Sequence, residues 1–166
     1  YVQRNVTLST DQERIYTDLK KYALAHIEDA EFMTATNVMT QLLRMQQVLS
    51  GHTKSDNGEV IEVADNRLDE LMGCLEESDG KAIIWSRFRY DIKRIADALI
   101  KKYGPRSTVT YFGDTSDDDR VEAIERFQNG DARFFIGNPM TGGYGITLTA
   151  ATTVIYFANS FDLAVR

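Results

Sequence analysis

The second half of the chain alternates short apolar runs with one-sided apolar stripes. The run 82–85 (Ala-Ile-Ile-Trp) contains no polar residue, as expected of a strand buried on both faces of a parallel sheet. The stretch 92–100 instead places Ile, Ala and Leu at helical spacing, which predicts an amphipathic helix. The same reasoning predicts strands at 108–112, 133–136 and 153–157, and a helix carrying Val121, Ile124 and Phe127 between the first two. Strands and helices that alternate through short loops indicate parallel βαβ units, with helices on both faces of the sheet.

The first part of the chain has a mainly helical pattern. Thr10 followed by Glu13 resembles a capping box, and apolar residues at helical spacing come after it. A second helix is predicted with Asn37 as its N-cap and Gly51 at its end.

A polar connection leads from these helices to the alternating region. The stretch 52–58 predicts an exposed loop, and a short strand at 60–63 and an N-cap at Asp65 are predicted after it. We therefore expect a helical appendage at 1–66 and an α/β lobe at 67–166.

Length and composition suit a globular chain. The 166 residues fit one domain with an appendage, and 43% apolar residues are enough for a core. No stretch approaches the roughly 18 apolar residues of a membrane span, so we expect a soluble protein. Cys74 is the only cysteine, which excludes an internal disulfide and a cysteine-cluster metal site, and we expect no metal site. Because the chain does not begin with Met and ends within a pattern at Arg166, we expect a fragment of a longer protein.

Charge is unevenly distributed along the chain. The net charge of −6 argues against a non-specific nucleic-acid binder. The stretch 56–79 has nine acidic residues and one basic residue, whereas 81–106 has eight basic residues and two acidic ones. A local basic face can bind phosphates on an acidic protein. The alternative is a solvated helix face, which the charge pattern alone favours slightly.

The loop after the first strand of the lobe is a candidate phosphate site, because ligands of open α/β sheets bind at the carboxyl ends of the strands. It reads Ser86-Arg87-Phe88-Arg89 and offers a hydroxyl, two guanidinium groups and the start of a helix. These groups suit phosphate oxygens. The spacing is equally compatible with ordinary capping by Ser86 beside exposed arginines.

The loop after the third strand is the most informative. Thr141 is followed by Gly142, Gly143, Tyr144 and Gly145. Three glycines in four residues are poor in helix or strand, but they allow a ligand or another backbone to approach closely and expose amide groups to phosphate. The alternative interpretation is a flexible turn.

Known nucleotide and catalytic motifs are missing. The phosphate-binding loop requires the sequence G-x-x-x-x-G-K followed by Ser or Thr. Gly80-Lys81 does not meet this requirement, because Ala82 follows it and position 75 is Leu. The three carboxylates at 117–119 lack calcium-loop spacing and favour the start of a helix. No Ser-His-Asp or Cys-His grouping is apparent.

Several segments resemble motifs that occur together in one family. Residues 81–88 resemble helicase motif IV, and 142–151 resemble motif V with its extension. Residues 42–47 resemble the helical segment before the second lobe. Tyr111-Phe112-Gly113, with Arg120, Ile124 and Phe127-Gln128, resembles the segment that follows motif IV. Residues 159–162 and Arg166 resemble the lead-in to motif VI. The chain is thereby similar to the C-terminal lobe of Swi/Snf-related superfamily 2 DNA helicases and translocases. The Asn-Pro-Met-Thr sequence at 138–141 most resembles phage and bacterial members. It departs from the family's commoner motif V, which has Thr-Arg in place of Pro139-Met140.

The resemblance implies a RecA-like three-layer parallel sheet, the P-loop NTPase-type helicase C-terminal lobe, truncated before motif VI. It implies a parent that moves along double-stranded DNA, in the cytoplasm of a bacterial or phage-infected cell. The partner is then an upstream RecA-like lobe of the same parent, and ATP and Mg²⁺ bind only in the intact parent. This fragment alone is expected to be inactive and to bind neither cofactor.

The resemblance also implies roles for the loop residues. The expected DNA contacts come from Ser86, Arg87, Arg89 and Thr141. The residues expected near the nucleotide cleft, where they couple the two sites, are Gly142, Gly143, Tyr144 and Gly145.

Two other classes of function remain open from the sequence. One is a non-catalytic protein-interaction domain of the same fold, which binds a protein through its appendage. The other is a different α/β nucleotide-binding protein, such as a methyltransferase or a dehydrogenase, which would bind a small molecule without a partner lobe. The motor lobe instead predicts activity only when the upstream lobe is restored.

Overall fold

The structure is a computed structural model that describes residues 2–28, 35–55, 57–142 and 146–159. The chain divides into two compact units, Tyr1–Glu70 (the helical unit) and Leu71–Arg166 (the sheet unit). Within the described ranges, no helix is long and apolar enough to cross a membrane.

The helical unit contains two long helices and a small antiparallel hairpin. Its elements are α1 (Thr10–Glu28), α2 (Ala35–Leu49), β1 (His52–Lys54), β2 (Val60–Glu62) and the start of α3 (Arg67–Glu76). The predicted loop at 52–58 is wrong in its first part, because His52, Thr53 and Lys54 pair with Glu62, Ile61 and Val60. These residues form a strand because a partner lies across the turn, and their own polarity does not reveal that partner.

The start of α1 is capped one residue earlier than the sequence suggests. Ser9 Oγ accepts from the Gln12 amide at 3.1 Å, and Gln12 Oε1 accepts from the Ser9 amide at 3.0 Å. This reciprocal pair is a capping box. Gln12 Nε2 also donates to Val48 O at 2.9 Å, which ties the start of α1 to the last turn of α2. Ser9 and Gln12 therefore take the roles that the sequence analysis assigned to Thr10 and Glu13.

The other predicted helix ends are partly confirmed. Helix α2 begins at Ala35, so Asn37 lies inside the helix and is not its N-cap. Gly51 follows α2 with a φ of 82°, as expected for a glycine that ends a helix. Helix α3 begins at Arg67, so Asn66 and not Asp65 holds its N-cap position. Asp65 lies one residue earlier, and its Oδ1 accepts from the Arg67 amide at 2.9 Å.

The sheet unit is a four-stranded parallel sheet. Its elements after α3 are β3 (Lys81–Ser86), α4 (Arg89–Tyr103), β4 (Thr108–Tyr111), α5 (Asp117–Gln128), β5 (Phe134–Gly137), α6 (Pro139–Gly142) and β6 (Ala151–Ala158). The strand order is β4-β5-β3-β6, and all three strand pairs are parallel. The predicted alternation of strands and helices is confirmed. The short helix α6 was not predicted.

Helices cover both faces of this sheet. The ring of Tyr103 at the end of α4 lies 5.0 Å from Phe134, and Phe127 at the end of α5 lies 5.4 Å from Phe135. Successive residues of a strand point to opposite faces, so Phe134 and Phe135 place α4 and α5 on opposite sides of β5. The three-layer arrangement predicted from the sequence is confirmed.

In α5, one residue of the predicted apolar stripe faces solvent. Ala123 and Phe127 are buried, and their spacing of four places them on one face of α5. Val121, which the sequence analysis grouped with Phe127, is 69% exposed. It lies two residues before Ala123 and therefore roughly 200° around the helix axis at 3.6 residues per turn.

Candidate functional site at the carboxyl edge of the sheet

The loops that follow β3, β4 and β5 meet at one edge of the sheet. The three strands are parallel, and they end at Ser86, Tyr111 and Gly137. This carboxyl edge is where open α/β sheets bind their ligands. The structure thus brings together the two loops that the sequence analysis named as candidates.

Ser86 is completely buried at this edge. Its hydroxyl donates to Asp91 Oδ2 at 2.8 Å, and both side chains are 0% exposed. Ser86 does not cap α4, whose N-cap is Phe88 without a side-chain hydrogen bond. This hydrogen bond fixes the first turn of α4 against the end of β3.

Arg89 lies at the surface and is held by an acidic neighbour. Its Nη1 lies 2.8 Å from Asp114 Oδ1 and 3.0 Å from Asp114 Oδ2, and the arginine side chain is 62% exposed. Asp114 belongs to the loop after β4, so this ion pair joins two loops of the carboxyl edge. Arg87 is partly buried, and its guanidinium carbon lies 5.8 Å from the centre of the Phe88 ring.

Asn138 connects three parts of the carboxyl edge. Its backbone N–H donates to Tyr111 O at 3.0 Å, and its side-chain Nδ2 donates to Arg87 O at 2.9 Å. Its Oδ1 accepts from the Met140 amide at 2.8 Å, which is the N-cap hydrogen bond of α6. The β3–α4 loop, the end of β4 and the start of α6 are therefore fixed relative to one another.

The sequence analysis did not single out Asn138, although a local signal was present. Asn is a favoured N-cap residue, and proline is over-represented at the first helical position. The pair Asn138-Pro139 at the end of a predicted strand therefore indicates a helix start. Its second role, the hydrogen bond to Arg87, has no local signal because the two residues are far apart in sequence.

Thr141 and Gly142 lie in α6, directly after this connection. Thr141 is partly buried, and its amide donates to Asn138 O at 3.0 Å. The remaining predicted cleft residues Gly143, Tyr144 and Gly145 lie outside the described residues, as do the segment from 160 onward and Arg166. Of the predicted site residues, the structure thus places Ser86, Arg87, Arg89 and Thr141 at one edge.

Neighbouring side chains and backbone lie unusually close to Gly137, at the end of β5. A Cβ at this position would lie 2.7 Å from Trp85 Cζ3, 3.1 Å from Tyr111 O and 3.2 Å from Phe135 Cε1. Trp85 and Phe135 are themselves in edge-to-face contact, with ring centres 5.9 Å apart. The end of β5 therefore has room only for glycine, a requirement that the sequence analysis did not recognise.

The acidic segment after β4 is a helix start, as predicted. Ser116 Oγ accepts from the Asp119 amide at 3.2 Å, and the three carboxylates occupy the first turn of α5. Carboxylates are favourable there because of the helix dipole. In the part of the chain that the structure describes, no three His, Cys, Asp or Glu side chains form a group able to hold a metal ion.

The sequence match decides between the classes of protein that share this fold. A model of the helicase conserved C-terminal domain matches residues 64–165, which is more than half of the chain. The chain belongs to this helicase C-terminal domain family. This match excludes the alternative of a methyltransferase or a dehydrogenase. No curated protein matches the chain.

Solved structures share the fold of this helicase domain. The SWI2/SNF2 ATPase C-terminal domain of Sulfolobus solfataricus is 22% identical with a TM-score of 0.72, and the match covers 92% of this chain and 68% of that one. The C-terminal part of the Fun30 ATPase domain is 18% identical with a TM-score of 0.68, covering 98% and 76%. The domain therefore has the fold of a Swi/Snf-type RecA-like C-terminal lobe.

A longer neighbour contains this lobe as one part. The Sulfolobus solfataricus SWI2/SNF2 ATPase core in complex with dsDNA is 22% identical with a TM-score of 0.73, and the match covers 92% of this chain and 33% of that one. The helicase domain thus spans about a third of that ATPase core.

Proposed function

We propose that this chain is the second motor lobe of an ATP-dependent, Swi/Snf-related DNA helicase or translocase. The family match supports a helicase lobe. One neighbour of the same fold was solved as an ATPase core with dsDNA. The observation that carries the proposal is the hydrogen bond from Asn138 to Arg87 O, because it joins the proposed DNA-contact loop to the start of the proposed coupling loop.

Of the four residues proposed for DNA binding, three are proposed to contact DNA directly and one to act indirectly. Arg87, Arg89 and Thr141 lie on the loop and helix starts of the carboxyl edge, where guanidinium and hydroxyl groups suit phosphate oxygens. Ser86 is fully buried, so for this residue we propose an indirect role. Its hydrogen bond to Asp91 fixes the first turn of α4, from which Arg89 projects.

ATP and Mg²⁺ do not fit the residues of this lobe as a self-contained site. The sequence lacks a phosphate-binding loop, and the described residues lack a group of metal-ligating side chains. We propose that both cofactors bind in the intact parent, where an upstream RecA-like lobe supplies the phosphate and metal ligands. Residues 142–145 are proposed to couple that cleft to the DNA. A parent that acts on DNA in a bacterial or phage-infected cell works in the cytoplasm.

Arg89 gives a direct prediction about DNA binding. In the intact parent, Arg89→Ala weakens binding to duplex DNA and reduces the slope of log K against log salt by about 0.9, the loss of one phosphate contact. Asp114→Asn strengthens binding at low salt, because the carboxylate no longer competes with phosphate for Arg89. Fluorescence anisotropy over a salt series measures both effects.

The matched control for Arg89 lies at the opposite edge of the sheet. Arg106 precedes β4 and pairs with Asp131, also through an exposed guanidinium. Arg106→Ala should leave affinity and salt slope unchanged. Equal losses in Arg89→Ala and Arg106→Ala would mean that the carboxyl edge has no special role in DNA binding.

The proposed function is tested by ATP hydrolysis. A protein that joins this lobe to an upstream RecA-like lobe and continues through motif VI should hydrolyse ATP, and duplex DNA should stimulate it. Absence of hydrolysis under both conditions would refute the motor-lobe proposal.

A further inference from the structure

Gln128, the last residue of α5, makes three hydrogen bonds to the segment that follows the glycine-rich stretch. Its Nε2 donates to Thr147 O at 3.1 Å and to Thr149 Oγ1 at 3.2 Å. Its Oε1 accepts from the Ala150 amide at 2.9 Å. One carboxamide thus uses its donor and its acceptor side to hold residues 147–150.

The held segment, residues 146–150, has no helix or strand structure of its own. Ile146, Leu148 and Ala150 are partly buried and pack against the core cluster that contains Phe127 and Phe135. The alternate residues of the segment are exposed. Apolar packing therefore holds the inner side of the segment, and the Gln128 carboxamide holds its backbone in place of the strand partners that it lacks.

The two ends of the glycine-rich stretch consequently have different anchors. Asn138 fixes the chain before it, through α6. Gln128 fixes the chain that resumes at residue 146, directly after Gly143, Tyr144 and Gly145 in sequence.

We propose that Gln128 is a positioning residue for residues 146–150, and that it sets how strongly DNA binding stimulates ATP hydrolysis in the parent. This inference rests on the proposed function. Residues 146–150 follow directly after residues 142–145, which are proposed to couple the nucleotide cleft to the DNA. Loss of the Gln128 hydrogen bonds should therefore disturb coupling more than it disturbs either DNA binding or the fold.

Asn129 and a glutamate substitution provide matched comparisons. The neighbouring Asn129 also has a side-chain amide, but its Nδ2 donates to Glu125 within the same helix. Asn129→Ala removes an amide from the same helix end without touching residues 146–150. Gln128→Glu keeps the size and the acceptor, but it removes the amide donor that faces Thr147 O.

The first arm measures amide hydrogen exchange on this chain. Gln128→Ala should raise the exchange rate at the Ala150 amide by about tenfold, the expected effect of losing such hydrogen bonds. Asn129→Ala should not change that rate. Unchanged protection of Ala150 in Gln128→Ala would show that Gln128 is not the anchor and overturn the proposal.

The second arm measures ATP hydrolysis by the intact parent, with and without saturating duplex DNA. Gln128→Ala and Gln128→Glu should reduce the DNA-stimulated kcat by about tenfold, with the Kd for DNA and the Tm nearly unchanged. Asn129→Ala should behave as wild type. If the wild type is stimulated and both Gln128 variants are stimulated equally, the positioning role is wrong and the motor lobe stands. If the wild type is not stimulated at all, the proposed function fails, and the coupling role fails with it.

Discussion

Replacing Gly137 with alanine should destabilise the sheet unit by about 1–3 kcal/mol, the usual cost of overpacking a core. The added methyl group would lie 2.7 Å from Trp85 and 3.1 Å from the carbonyl oxygen of Tyr111. Neither neighbour is the far end of a flexible side chain, because Trp85 is buried in the core and Tyr111 O belongs to the backbone of β4. The strain therefore has to spread into the ends of two strands.

Thermal unfolding of this chain measures the Gly137 effect. A unit of this size loses roughly 4–8 °C in Tm for each kcal/mol. Gly73 is the control, since it lies inside α3 and a Cβ there would meet no atom within 4 Å. Gly73→Ala should instead stabilise by about 0.5–1 kcal/mol through helix propensity. A Gly137→Ala variant as stable as Gly73→Ala would show that the close approach at the end of β5 is not a constraint.

Replacing Asn138 with alanine should have the largest effect on activity. The change removes the N-cap bond of α6, worth about 1 kcal/mol, and the hydrogen bond to Arg87 O. It leaves the β3–α4 loop and α6 without their connection. In the intact parent, the DNA-stimulated rate of ATP hydrolysis should fall by at least about tenfold, beyond any loss of folded protein.

A serine at position 138 separates the two roles of the asparagine. Serine is a good N-cap residue. Its hydroxyl is one bond closer to the backbone than the Asn138 Nδ2, so it does not reach Arg87 O. Asn138→Ser should therefore recover most of the stability lost in Asn138→Ala, and it should remain poorly stimulated by DNA. Steady-state ATP hydrolysis and thermal unfolding, measured on both variants, test this. Full stimulation of Asn138→Ser would show that the bridge to Arg87 is not needed.

The sequence was sufficient for the four strands of the sheet unit because these strands are short, mainly apolar runs. A run such as Ala82-Ile-Ile-Trp85 identifies a buried strand from local composition alone, and the helices between the strands follow from their apolar stripes. Pairing that depends on a distant partner was not predictable in this way. The strand at His52 to Lys54 was missed for this reason.

The candidate site was predictable in position but only partly in its contacts. The rule that ligands bind at the carboxyl ends of strands selected the loops after β3 and β5. The burial of Ser86 on Asp91 was not evident, because it depends on how α4 packs back on the strand end. The contacts of Asn138 and Gln128 join residues about 50 and about 20 positions apart, respectively, so no local pattern reveals them.

In the proposed function, this lobe couples DNA binding to ATP hydrolysis only in partnership with an upstream lobe. The most direct measurement compares ATP hydrolysis by the 166-residue chain with hydrolysis by a protein that places an upstream RecA-like lobe before it and continues through the next helicase motif. Each protein is assayed with and without duplex DNA. We expect no hydrolysis by the 166-residue chain and DNA-stimulated hydrolysis by the longer protein. A longer protein that is folded but inactive with DNA present would rule out the motor lobe and favour a non-catalytic interaction domain of the same fold.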